Sequence, residues 1–152
     1  MTKLLLSIHV LASILVVGPI AVAASMFPRY ARQLGEDGRS TGATVLLHRI
    51  CSGYAIIGVA VPVFGLATGA QLGVLTDVWL LASIVLTAIA AAILALAILP
   101  GQKSMIDTPE DGEGRDTARA AARLAGLTGV FNLLWAVVVV LMIVRPGSTT
   151  SA

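Results

Sequence analysis

Four uncharged apolar runs divide the chain. Leu4 to Phe27 is the first. The second begins near Val45, is interrupted only by His48 and Arg49, and is then uncharged to Thr76. Val78 to Leu99 is the third and Leu124 to Val144 the fourth. A helix that crosses a bilayer needs about 20 apolar residues, and each run is long enough. Backbone groups in hydrocarbon must bond within their own segment, so the runs are predicted to be helices. None alternates as a membrane β-strand does. The pattern predicts an all-α integral membrane four-helix bundle, threaded up-down-up-down, with spans over 4–27, 45–70, 78–99 and 124–144. Residues 1–147 then form one domain and 148–152 a disordered tail.

Composition agrees with this pattern. Of 152 residues, 57% are hydrophobic and 12% charged, against about 25% charged in a soluble domain. The formal net charge of +2 and the lack of a basic patch with interleaved aromatics argue against a nucleic-acid partner. Cys51 is the single cysteine, which excludes an internal disulfide or a cysteine-pair metal site.

The basic residues set an orientation. Arg29, Arg32, Arg39 and Arg49 lie in or beside the first connection; Lys103, Arg115, Arg119 and Arg123 lie in the third. Lys3 and Arg145 stand alone at the two ends. The positive-inside rule makes both arginine-rich connections cytoplasmic and places both termini outside. A cleaved signal peptide would have an apolar core of about 7–15 residues and would export those connections. The first run is therefore expected to be a retained span, despite its signal-like tail "AVAAS".

Helices in lipid associate through close packing and polar contacts, so small residues mark interfaces. Gly58, Gly65, Gly69 and Gly73 form such a stripe on the second span, and Ser83, Thr87, Ala91 and Ala95 on the third. Thr128, Asn132 and Ala136 do so on the fourth. Packing within the bundle is the expected use, with a remaining stripe available to a partner. Pro19 and Pro62 should kink their helices and free the carbonyls of Leu15 and Gly58. Arg115, Arg119 and Arg123 recur every fourth residue and share a helix face suited to anionic lipid headgroups. The acidic cluster around Glu110 lacks EF-hand spacing and reads as a solvated loop.

Two histidines are candidate ligands. His9 lies about 8 Å below the outer boundary at 1.5 Å per residue, and His48 lies at the inner end of the second span. Their depths differ by about 20 Å across a core of about 30 Å, so one metal cannot take both. His48, beside Arg49, belongs in the headgroup region. His9 is expected level with Ser83 and hydrogen-bonded to its hydroxyl. Asn132 and Tyr54, both about 12 Å deep, are placed to bond across the second and fourth spans. Trp135 has an N–H that needs a partner. Trp79 falls at the outer interface, as aromatic-belt residues do. No nucleophile–base pair or phosphate loop can be assembled, so the chain reads as no enzyme, and its residues by themselves specify no cofactor.

The segments "HVLASILVVGP" and "NLLWAVVVVLMIVRPG" resemble a family of small bacterial four-helix integral membrane proteins of unknown function. The resemblance covers nearly the whole chain. That family is distantly similar to copper-resistance-D-type proteins and to membrane protoporphyrinogen oxidases, which place a histidine early in the first helix, then glycine and a Pro-Arg pair. The counterparts are His9, Gly18 and Pro28-Arg29. "PRY" comes about one helical turn late, and the tryptophan between His and Gly is absent. The resemblance implies a multi-pass protein of the bacterial plasma membrane, with haem or copper as the cofactor at His9.

Two functions are expected. The first is a non-catalytic accessory subunit, partnered by membrane lipids and by other membrane-protein subunits or its own copies, in a larger complex such as a respiratory one. The second is a haem-, tetrapyrrole- or copper-handling protein that uses His9. A small oligomeric transporter ranks third.

Overall fold

A computed structural model describes residues 1–34, 38–108 and 114–147, with the side chain of Arg115 outside that set. Every regular element among them is helical. In order they are α1 (Thr2–Ala31), α2 (Gly38–Ile57), α3 (Ala60–Leu72), α4 (Val78–Ile93), a π-turn (Leu94–Ile98), α5 (Leu99–Asp107) and α6 (Gly114–Val144). Four helical stretches are long and apolar enough to cross a membrane: Thr2–Ala31, Gly38–Leu72, Val78–Asp107 and Asp116–Val144. Their outward faces carry residues such as Val78, Ile56 and Leu96, each more than three-quarters exposed. Lipid accounts for a surface of that kind.

The helices run past the apolar segments that announce them. Much of the first connection, expected as a loop over 28–44, is helix up to Ala31 and again from Gly38. The fourth helix begins at Gly114, ten residues before its apolar run. Alanine and arginine favour helix, and "ARAAARLAG" carries the helix beyond the apolar run. The acidic stretch 109–113 and the tail 148–152 lie outside the described residues.

α1 is the hub. Its inward positions Val16, Ile20, Ala23, Ala24, Phe27 and Ala31 are all buried, spaced by threes and fours as one helical face requires. That face meets α2, α3 and α6, while α4 leans chiefly on α6. Polar groups fix the pairings. Thr128 Oγ1 donates to the Ala24 carbonyl at 3.5 Å, and Asn132 Nδ2 to Ser25 Oγ at 3.2 Å. Asn132 thus bonds to α1, not to Tyr54 as its depth suggests. Phe131 stacks edge-on against Trp135 at 6.3 Å.

The prolines differ from one another in their effect. α1 runs unbroken through Pro19 and Pro28. The second span breaks at Gly58–Val59, just ahead of Pro62. The Gly58 carbonyl, which Pro62 cannot engage, is taken by the Val61 N–H at 3.0 Å. The turn tightens and the carbonyl is not left free. Pro100, just past the end of the third apolar run, has the larger effect. It lacks an N–H for the Leu96 carbonyl and its ring crowds that group. The helix widens into the π-turn directly before it, as such bulges do. The extra residue rotates α5 by about 100° about the helix axis, and Ile98 and Gln102 then face inward, 0% and 1% exposed.

Candidate ligand cleft

α3 and α4 scarcely touch. Between them, with α1 and α6 behind, lies a half-open cleft of about 590 Å³, within the range of small-molecule sites. Its wall is almost wholly apolar. The exceptions are few: His9 and Ser13 from α1, Ser83 and Thr87 from α4, Trp135 from α6, and Arg145 beyond its end.

His9 is held by backbone. Its Nδ1 lies 2.8 Å from the Val61 carbonyl. A carbonyl only accepts, so Nδ1 carries a proton and donates it to that bond. Ser83, the expected partner, instead donates to the Trp79 carbonyl at 2.8 Å on its own helix. Ser13 likewise donates to the His9 carbonyl at 2.8 Å. The His9 ring lies where a side chain at position 65 would begin: a Cβ on Gly65 would sit 2.8 Å from Cε1. Gly65 is therefore the socket for His9.

The other predicted packing positions divide. Gly69 meets Leu80 Cδ2, where a Cβ would come within 2.9 Å, and Gly58 meets Val16 Cγ1 at 3.3 Å. Gly73 packs against nothing within 4 Å; its φ of 70° makes it the terminator of α3. The Val74 N–H bonds to the Gly69 carbonyl and the Gly73 N–H to the Ala70 carbonyl, a Schellman end. Ser83 is fully buried and Thr87 half-buried, but Ala91 and Ala95 are exposed, and Ala90 is the buried alanine of that helix. The π-turn and the open cleft leave the Ala91–Ala95 row without a neighbour in the bundle. Gly101, unmarked by spacing, approaches Leu124 Cδ2 as closely as Gly65 approaches His9.

Two buried polar atoms on one turn of α6 have no partner among the described residues, Trp135 Nε1 and Asn132 Oδ1. Such groups are uncommon in folded proteins, and Trp135 also lines the cleft. At the cleft mouth, Trp79 is 5% exposed and donates from Nε1 to Asp77 Oδ2 at 3.0 Å. It is packed there and is not a lipid-facing belt residue.

His48 is nowhere near His9 in its contacts. It pairs with Gln102 Oε1 at 3.0 Å, while Gln102 Nε2 reaches Cys51 Sγ at 3.7 Å. His48 is thus tied to α5, and Cys51 is fully buried. No three His, Cys, Asp or Glu side chains gather as a metal site among the described residues. Arg119 and Arg123 are exposed on one face of α6, Arg119 within 4.0 Å of Asp116.

Four long apolar helices around an intramembrane cleft define a polytopic membrane protein. The chain matches the family model "Predicted integral membrane protein (DUF2269)" over residues 3–146 and belongs to that family. No curated protein and no solved structure matches it.

Proposed function

We propose that the protein binds an apolar, tetrapyrrole-like ligand in the cleft, with His9 as its polar anchor. The observation that carries this reading is the placement of the imidazole. Its Nδ1–H is committed to the Val61 carbonyl, and the ring lines a ligand-sized cavity. A backbone bond to the far nitrogen is how proteins orient a ligating histidine. A bare copper ion fits less well, since one imidazole is not a coordination set. Met142 also lines the cleft, but among the described residues no second imidazole and no thiolate does. When bound, an iron tetrapyrrole would supply redox chemistry, and His9 would hold and orient it. We read the role as non-catalytic, because the cleft's serines are committed to carbonyls of their own helices.

The charge distribution supports placing the cleft in the outer half of a bacterial plasma membrane. A second reading is favoured by the exposed pair Ala91 and Ala95, continued by the half-buried Thr87. It is the kind of small-residue surface against which a helix of a partner subunit packs.

One purification separates the two. The tagged protein, extracted from its native membrane in mild detergent, should show visible absorbance that His9→Ala abolishes while the elution volume is unchanged. Colourless protein with stoichiometric co-purifying subunits supports the interaction reading instead. Colourless protein without partners overturns both.

A further inference from the structure

Arg145 closes the mouth of the cleft in an unusual way. It is the one non-glycine residue with positive φ among the described residues, at 46°. It directly follows the end of α6 and lines the cleft beside Met142 and Ile143. Its Nε donates to the Met142 carbonyl at 3.3 Å, as a cation at a helix C-terminus should. This explains Nε but not the rest of the guanidinium. The guanidinium lies over the Trp79 ring, 5.5 Å from its centroid, and Trp79 is itself fixed by Asp77. It forms no ion pair among the described residues. Among the described residues its Nη pair thus meets no carboxylate, and the residue lines an apolar cavity.

Such a fork matches a carboxylate in two parallel hydrogen bonds. The cavity has room for one ligand of ordinary small-molecule size, which argues against a two-chain phospholipid. We infer that the ligand of this cleft is a carboxylate-bearing amphiphile: Arg145 holds its carboxylate and its apolar body lies along the apolar wall. The inference rests on the ligand-binding reading above and narrows the ligand's class.

The test uses the full chain in neutral detergent and the fluorescence of its two tryptophans. Quenching is titrated with protoporphyrin IX and, separately, with its dimethyl ester, which has the same ring without the charge. Arg145→Gln should weaken the acid about tenfold, the scale of a lost charge-assisted bond, and leave the ester unchanged. Arg145→Lys keeps the charge but loses the fork, and should weaken the acid about threefold. It also provides the answer should R145Q aggregate.

Equal effects on acid and ester, or no effect on either, overturn the inference. If His9→Ala still abolishes binding in that case, the cleft reading stands without it. Displacement of the acid by phosphatidylglycerol, lost in R145Q, would make the anion a lipid phosphate and also overturns the inference. Failure of wild-type protein to bind either probe overturns both the inference and the reading beneath it.

Discussion

At the scale of single residues, the pair His9 and Gly65 governs the cleft. The spacing of glycines marks Gly65 as a close-approach site, but spacing does not say what approaches. That depends on how α1 and α3 are rotated against each other, which packing of the whole bundle decides. For the same reason depth alone pairs His9 with Ser83, whereas its bond is to Val61. Depth along a span is legible in a sequence; azimuth is not. Gly65→Ala should destabilise the protein by about 1–3 kcal/mol through overpacking, read as a lowered midpoint in thermal unfolding in detergent. Combining it with His9→Ala should recover most of the loss, since the two groups compete for one volume and their effects cannot be additive. Recovery by less than a third would show that the socket serves another neighbour.

At the scale of elements, helix ends and helix irregularities are the least legible features. Gly73 belongs by spacing to the glycine stripe, yet its conformation makes it a stop signal. The break in the second span falls at Gly58–Val59, where the turn before Pro62 tightens. The π-turn before Pro100 rotates Gln102 from an expected connection into the core. A polar residue three positions beyond an apolar run carries no mark of burial until that rotation is known. Gln102 then joins His48 to Cys51 across α2 and α5. Gln102→Leu removes both bonds and should cost about 1–3 kcal/mol by leaving a buried group unsatisfied. Cys51 offers an independent readout. It is fully buried, so maleimide should alkylate it slowly in native protein and several-fold faster in Gln102→Ala. Equal rates would mean that Gln102 does not seal the site.

At the scale of the molecule, the number of long apolar helices is legible in hydropathy alone, because water-to-lipid transfer dominates and needs no tertiary detail. The cleft is not, since it results from what fails to pack, α3 against α4. Orientation is open to direct measurement. In a Cys51→Ser background, Gly147→Cys on intact cells should react with a membrane-impermeant maleimide, and Ser104→Cys only after lysis. The opposite pattern would put the cleft in the inner leaflet. The hub position of α1 has a further consequence, for biogenesis. α1 leaves the ribosome first, so α2, α3 and later α6 each meet a docking surface already in the bilayer. α4 does not, because its principal surface is on α6, which is synthesised after it. Between those events the inner face of α4, with Trp79, Ser83 and Ala90, waits in lipid without its partner. A chain ended after Thr108 should therefore insert its first three spans yet fail quality control, which pulse-chase decay of the truncated product would reveal.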